Sequence, residues 1–176
     1  MPIPPQDIRI ESQRLVMTPF RASDAQDAFG CISLSLTRFM AWEPAPDPAS
    51  FAEVWREWLA QMSTGTDYVF TIRQRDGDEF LGLVGLHRAT DDTPELGIWI
   101  RENRHGAGFG REAVAAVAQW GADILNIGRY IYPVAVANTS SQRIAESLGG
   151  VVVDRRNTPK FTSVVYEIRC GGHAGT

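Results

Sequence analysis

The stretch ELGIWIRENRHGAGFGREA, residues 95–113, joins a short apolar strand to a helix through a turn that contains three glycines. Gly106, Gly108 and Gly110 leave a run of backbone N–H groups with no side chains in front of them. The helix that follows directs the positive end of its dipole toward the same turn, which is typical of a phosphate or pyrophosphate site. A flexible loop that only caps the helix is the structural alternative.

The segments on either side of this stretch predict a sheet with helices packed on it. Apolar patterns predict strands at residues 14–18, 68–73, 80–86, 95–100, 130–137, 151–154 and 164–169. Helical periodicity and capping residues predict helices near 23–31, 51–62, 108–125 and 140–148, besides a short helical piece at 34–40. The chain is therefore predicted to form a mixed α/β (α+β) fold with a mostly antiparallel seven-stranded sheet flanked by about four helices.

Prolines predict two irregular features. Because the helix at 108–125 separates strands four and five, these strands should run parallel through a right-handed crossover. Pro133 in strand five lacks an N–H group, so we expect the sheet to be splayed between these two strands. Pro44, Pro46 and Pro48 in the segment AWEPAPDPAS, residues 41–50, predict a stiff loop without regular structure.

Length and composition favour one globular domain over residues 1–176, with a core at about 11–169, an arm at 1–10 and a tail at 170–176. The net charge of −4, with scattered arginines, predicts neither nucleic-acid nor membrane partners. We expect no signal peptide and no membrane span. Cys31 and Cys170 are interpreted as free thiols in a reducing cytoplasm.

Other sites that contain glycine or histidine fit the sequence poorly. The dinucleotide fingerprint requires a third glycine at position 111, which is Arg, and a P-loop requires Gly-Lys-Ser/Thr. The histidines at positions 87, 105 and 173 have no partners at metal-ligand spacing, so no metal is predicted. They are interpreted as structural or solvated side chains.

Over residues 11–169 the chain resembles the GNAT superfamily of acyl-CoA-dependent N-acyltransferases. The superfamily's pyrophosphate motif is Gln or Arg, two residues, Gly, one residue, then Gly or Ala, and the matching segment is HGAGFG at 105–110, which departs at His105. The stretches RLVMTPFRASDA, ELGIWI and NTSSQRIAESLG resemble the bacterial branch that acetylates ribosomal-protein N-termini (Rim-type acetyltransferases). That branch suggests a homodimer.

The resemblance implies that acetyl-CoA is the co-substrate and that Glu95 is the general base, acting through a water. The implied cofactor-binding residues are Ile98, Trp99 and Ile100 along strand four, Gly106, Ala107, Gly108, Phe109, Gly110 and Arg111 at the turn, and Asn138 and Ser141 on the last helix. Ser141 is also expected to act near the sulfur, because Ala145 stands where many members have a Tyr. The alternatives are an ion pair with an Arg or solvent exposure for Glu95, and helix capping for Asn138 and Ser141.

Acceptor specificity is expected from two loops, residues 39–48 and 155–160. Trp42 could form a wall, Glu43 could attract the amine, and Arg155 could meet an acidic acceptor unless its charge is simply solvated. The first hypothesis is an acetyl-CoA-dependent N-acetyltransferase that acts on the α-amine of a protein, peptide or amino-acid-like acceptor by direct attack on the thioester. The alternatives are a small amine or another acyl-CoA, and a non-catalytic acyl-CoA-binding module.

Overall fold

A computed structural model describes residues 2–171 and contains a single eight-stranded sheet. The strands are β1 Ile10–Glu11, β2 Leu15–Pro19, β3 Tyr68–Gln74, β4 Phe80–His87, β5 Glu95–Ile100, β6 Arg129–Ala135, β7 Val151–Asn157 and β8 Thr162–Arg169. Their order in the sheet is β1-β2-β3-β4-β5-β6-β8-β7, and every neighbouring pair is antiparallel except β5 and β6. The predicted fold class is confirmed; the additional strand is β1, which pairs with β2 at the sheet edge.

Five helices of the described chain pack on this sheet. They are α1 Ala25–Cys31, α2 Leu34–Thr37, α3 Pro48–Thr64, α4 Phe109–Leu125 and α5 Thr139–Ser147. Alternate residues of β3 point to opposite faces of the sheet. Tyr68 and Phe70 pack against Trp120 of α4, whereas Val69 lies on the face toward α3. No helix within residues 2–171 combines the length and apolarity that a membrane crossing requires.

The start of α3 corrects the prediction of an irregular loop over residues 41–50. The helix already begins at Pro48, because Asp47 caps it by accepting a hydrogen bond from the Ser50 N–H at 2.7 Å. Proline is tolerated in the first helical turn, where its missing N–H group would have no helical partner. Within residues 41–50, only residues 41–47 therefore lie outside a helix or a strand.

The sheet is splayed where Pro133 predicts it. β5 and β6 share one register pair, Glu95 with Ile131, and the Ile131 N–H donates to the Pro94 carbonyl at 2.9 Å. Pro133 itself pairs with Val165 of β8, so it lies at the open edge of a strand that is well paired on its other side. Beyond Glu95, the edge of β5 is free along the gap.

Candidate active site

The gap between β5 and β6 opens into two pockets. The α3 pocket, of about 600 Å³, is lined on one side by Phe51, Val54 and Trp58 of α3. The α4 pocket, of about 580 Å³, lies at the N-termini of α4 and α5. The residues common to both pockets, which we call the junction, are Phe39, Met40, Ile98, Trp99, Asn138 and Ser141. Molecules held in the two pockets can therefore meet at the junction.

The glycine turn shapes the floor of the α4 pocket. Gly106 and Gly108 have φ values of +81° and +79°, which glycine adopts without the strain that a Cβ would cause. The first helical hydrogen bond of α4 runs from the Glu112 N–H to the Gly108 carbonyl at 3.2 Å. The N–H groups of residues 109–111 come before it and have no helical carbonyl to bond, so they are suited to an anion.

Arg14 and Glu112 hold this turn in place through hydrogen bonds, and the sequence predicted a role for neither residue. Arg14 Nε donates to Glu112 at 2.7 Å, and its Nη1 donates to the Ala107 carbonyl at 2.8 Å. The Ser12 hydroxyl also donates to Glu112, at 2.6 Å. Burial raises the pKa of Glu112, but the hydrogen bonds and charge of Ser12 and Arg14 outweigh burial and leave the pKa below its ordinary value. We call these three residues the clasp.

Positive charge surrounds the α4 pocket although the whole chain is acidic. Its lining includes Arg38, Arg104, Arg111 and Arg143 and contains no Asp or Glu among the described residues. Arg104 is paired with Glu79 at 2.9 Å. The pocket therefore suits a ligand that carries several phosphate groups.

His105 lines the α4 pocket and also closes the turn through its side chain. Its Nε2 lies 2.6 Å from the Ile100 carbonyl, and because a carbonyl only accepts, Nε2 carries the hydrogen. This bond occupies the Ile100 carbonyl and leaves the backbone groups of Ile98 along the free edge of β5, whereas the backbone of Trp99 faces its register partner Leu83 on β4. Ala107, whose carbonyl is held by the clasp, does not line the pocket, whereas the other predicted turn residues do.

The start of α5 brings Asn138 and Ser141 to the junction. Asn138 caps α5 by accepting a hydrogen bond from the Ser141 N–H through Oδ1 at 3.2 Å, which leaves its amide nitrogen free for another partner. The Ser141 hydroxyl lies 2.6 Å from the hydroxyl of Tyr132 on β6. Burial raises the pKa of Tyr132 to about 12, although the bond with Ser141 opposes this rise. Tyr132 therefore remains a protonated O–H donor over the physiological pH range.

Sequence reasoning missed Tyr132 because it searched α5 for the tyrosine and found Ala145, which is fully buried. A signal was available in β6, since Tyr132 directly precedes Pro133, the residue that predicts the gap. A side chain at that position lies beside any ligand bound there.

The α3 pocket is walled mainly by apolar and aromatic side chains. Trp42 lines it, and Glu43 also lines it but is paired with Lys160 at 2.7 Å. Lys160 also donates to the Trp42 carbonyl at 3.3 Å, so the two predicted acceptor loops are joined. Arg155, which was predicted to meet the acceptor, does not line the pocket. Its neighbour Arg156 does.

Glu95 lies at the edge of the α3 pocket, where β5 begins. Its carboxylate accepts a hydrogen bond from the Arg88 guanidinium at 3.0 Å. The alternative of an ion pair with an Arg is therefore present in the structure. Glu95 also lines the pocket in which a general base would act. His87 lines the same pocket.

The sequence profile of the acetyltransferase (GNAT) domain matches residues 14–151. The chain belongs to the GNAT acetyltransferases. It is therefore an acetyl-CoA-dependent N-acetyltransferase, and the open strand edge, free helical N–H groups and arginines of the α4 pocket fit coenzyme A. A search of curated proteins finds no match.

Solved structures of other GNAT proteins share this fold. A proposed ribosomal-protein-serine acetyltransferase from Vibrio cholerae has 21% sequence identity and a TM-score of 0.81, with 96% of this chain and 100% of that chain covered. A spermidine N-acetyltransferase from Vibrio cholerae, in complex with CoA and spermine, has 17% identity and a TM-score of 0.78, with coverages of 90% and 96%. A ribosomal-protein alanine acetyltransferase from Vibrio fischeri has 16% identity and a TM-score of 0.77, with coverages of 93% and 97%.

Proposed function

We propose that this GNAT enzyme acetylates the α-amine of a protein, peptide or amino-acid-like acceptor by direct attack on the acetyl-CoA thioester. The observation that carries the proposal is the meeting of the two pockets at the junction, where Ser141 is bonded to Tyr132 at 2.6 Å. Acetyl-CoA occupies the α4 pocket and the acceptor enters from the α3 pocket. The ribosomal-protein acetyltransferases among the structural neighbours support this acceptor class.

The residues around the α4 pocket support a specific arrangement of coenzyme A. The N–H groups at the start of α4, with the turn glycines before them, bind the pyrophosphate. The pantetheine arm lies along β5 and bonds the backbone at Ile98, while the free amide nitrogen of Asn138 donates to one of its carbonyls. Arg111 and Arg143, which line the pocket, attract the phosphates.

The reaction needs the acceptor to lose a proton and the thiolate to gain one. An α-amine has a pKa near 7.7–8.0, so a substantial part is already neutral near pH 7.5, unlike a lysine amine near 10.4. The neutral nitrogen attacks the thioester carbonyl, the C–N bond forms, and the C–S bond breaks. Ser141, itself bonded to Tyr132, donates to the departing sulfur. The Glu95 oxygen that Arg88 does not bond, Oε1, can bind the single ammonium group of the entering acceptor.

The lining of the α3 pocket favours an acceptor with an apolar side chain over a polyamine. Its two acidic residues, Glu43 and Glu95, are already paired with Lys160 and Arg88. A polyamine would have to displace these cations, whereas an apolar side chain gains contact with the aromatic walls. This charge pattern distinguishes the proposed acceptor from spermidine.

The proposal is tested by measuring CoA release from acetyl-CoA with peptides that have free N-termini, the same peptides with blocked N-termini and an internal lysine, and spermidine. Turnover with free N-termini, and the acetyl group found on the α-amine by mass spectrometry, is expected. Saturable acetyl-CoA binding without turnover on any acceptor would favour the non-catalytic alternative and overturn the proposal. Turnover with spermidine alone would assign the small-amine alternative.

We further propose that two copies of the chain pair through β7. This strand ends the sheet, all seven of its residues are exposed, and Val151, Val152 and Val153 are 50–59% exposed. An exposed apolar strand with a free edge is a site for strand pairing, and a second copy offers a matching edge.

A further inference from the structure

His87 and Asp67 form a pair on the wall of the α3 pocket that the proposed chemistry has not yet used. His87 is the last residue of β4, and Asp67 directly precedes β3. His87 Nδ1 lies 3.2 Å from Asp67 Oδ1. The same oxygen accepts the Arg88 backbone N–H at 3.3 Å, so the carboxylate is held from two directions.

This contact selects the tautomer of the ring. An ionised carboxylate can only accept a hydrogen bond, so Nδ1 must carry a hydrogen. In the neutral imidazole the lone pair is then on Nε2. Carboxylate-oriented imidazoles of this kind are suited to taking a proton from a reacting group.

Two glycines make room for the ring and direct Nε2 into the pocket. Gly85 on β4 and Gly97 on β5 are register partners, and both line the α3 pocket. A Cβ on Gly85 would overlap with Nε2 and lie 2.9 Å from Cε1 of His87, and a Cβ on Gly97 would lie 3.8 Å from Nε2. The ring therefore covers both glycines, in space that a side chain at Gly85 would close.

Glu95 is the register partner of His87, so both side chains project from the same face of the sheet. The Arg88 guanidinium already occupies Oε2 of Glu95 at 3.0 Å. By contrast, His87 Nε2 has no hydrogen-bond partner among residues 2–171. His87 therefore offers a proton-accepting atom that no cation holds, whereas the Glu95 carboxylate is already paired with Arg88.

We infer that His87 is the general base of the acetyl transfer and that Asp67 is its positioning residue. The inference rests on the proposed function and names the proton acceptor within it. His87 Nε2 takes one proton from the acceptor ammonium, and the neutral amine attacks the thioester carbonyl. As the C–S bond breaks, the thiolate takes a proton from the Ser141–Tyr132 pair, which regains one from the nitrogen that has become an amide. His87 then returns its proton to water.

The pH dependence of this step reflects all charged groups around the ring. These are Asp67 before β3, Arg88 after β4, Glu95 on β5, and Glu43 and Arg156 across the pocket. Because protonated His87 cannot accept another proton, kcat/KM should fall at acidic pH. Without His87, only peptide whose α-amine is already neutral can react, so kcat/KM of the variant should follow the neutral fraction of that amine, whose pKa is near 7.7–8.0.

The experiment measures kcat/KM between pH 5.5 and 9 for the wild type, His87→Gln, Asp67→Asn and Glu95→Gln, using an accepted peptide. We expect His87→Gln to lower kcat/KM by roughly 10²-fold at neutral pH and to make its pH profile follow the neutral fraction of the peptide's α-amine, with unchanged acetyl-CoA affinity. Asp67→Asn should lower kcat/KM on the order of tenfold. Asp92→Asn, an equal charge change at an exposed residue of the β4–β5 loop, is the matched control and should leave kcat/KM unchanged.

A second measurement does not depend on turnover. Long-range ¹H–¹⁵N NMR of the imidazole should show hydrogen on Nδ1 of neutral His87 in the wild type, and circular dichroism should confirm that each variant is folded. An Nε2–H tautomer, or a His87→Gln pH profile equal in shape to that of the wild type, would overturn the inference while acetyl transfer still stands. A pH profile that changes shape only in Glu95→Gln would assign the base to Glu95. A wild type without turnover on any acceptor would overturn both proposals.

Discussion

At the scale of single residues, the contact between Tyr132 and Ser141 connects a buried hydroxyl to the proposed site of acetyl transfer. The Tyr132 side chain is 1% exposed, and its hydroxyl meets Ser141 at the junction of the two pockets. Burial raises the pKa of this phenol to about 12, so the hydroxyl keeps its proton at every pH at which the enzyme would work. Such a group can donate to a developing thiolate through Ser141.

We predict that Tyr132→Phe lowers kcat by roughly 10- to 100-fold while acetyl-CoA affinity stays within a factor of two. The loss should shrink for acetyl thioesters with a more acidic thiol, because such a thiolate leaves without needing a donor. Steady-state kinetics with a series of thioesters checks this prediction.

Tyr130→Phe is the matched control for this prediction. Its buried hydroxyl donates to the Ala118 carbonyl at 2.7 Å, away from both pockets, so its removal costs about 1 kcal/mol of stability. It should leave kcat unchanged. Equal kinetic losses in the two variants would show that Tyr132 acts only through packing.

At the scale of elements, the clasp of Ser12, Arg14 and Glu112 fixes the start of α4 against β2. Glu112 has a depressed pKa in the folded protein, so its contribution to stability is present above the pKa of the unfolded state, near 4.5, and is lost as the pH falls through the folded-state pKa. The side chain of Glu112 is only 17% exposed.

We therefore predict that Glu112→Gln lowers the free energy of unfolding by about 2 kcal/mol at pH 7. The difference from the wild type should become smaller as the pH falls below 4.5, because the unfolded wild type then binds a proton at this carboxylate more readily than the folded protein does. Urea unfolding at pH 7 and pH 3.5 checks this expectation. Glu11→Gln, which removes an exposed pair with Arg9, is the control and should have no measurable effect at either pH.

The clasp should also affect ligand binding, because Arg14 holds the Ala107 carbonyl inside the glycine turn. We predict that Arg14→Ala weakens acetyl-CoA binding by roughly 3- to 10-fold by loosening this turn. Isothermal titration calorimetry measures the change. Affinity equal to the wild type in a folded variant would limit the clasp to a role in stability.

The helices α4 and α5 each bring an arginine to the α4 pocket. We predict that Arg111→Gln and Arg143→Gln each raise the Kd for acetyl-CoA by roughly 3- to 10-fold at low salt and by less at 0.5 M salt, since screening weakens the attraction. Arg129→Gln, at a residue outside the pocket that pairs with Glu167, is the control. Salt-independent losses would indicate an effect on folding instead of charge.

At the scale of the whole molecule, the sheet ends in a strand that nothing in the described chain covers. If β7 pairs with β7 of a second copy, analytical ultracentrifugation should show a dimer at micromolar concentration. Val152→Lys should give a monomer, because a charged side chain on the edge opposes pairing. Val54→Lys, at an exposed valine on α3, is the matched control and should remain dimeric. A wild type that is monomeric at all concentrations would contradict this proposal.

Local patterns predicted the elements well where one physical rule dominated. The apolar stripe of residues 51–62 predicted α3 because one face of a helix must be buried, and two apolar runs joined by a turn with Asp76-Gly77 predicted the β3–β4 hairpin. The start of α3 was missed because Pro48 was treated as a breaker, although Asp47 provides the cap that makes proline acceptable there. Residue 173, one of the three histidines assigned no role, lies outside the described residues.

The sequence by itself determined the glycine turn, the helix that follows it and the splay at Pro133, because each depends on a backbone preference of one or a few neighbouring residues. It also placed Glu95, Asn138 and Ser141 at the site through the family resemblance. Only the tertiary structure brought Tyr132 to Ser141, Arg14 to Glu112, and Asp67 to His87. These contacts join residues 9, 98 and 20 positions apart, and no local pattern encodes which distant side chains the sheet order places together.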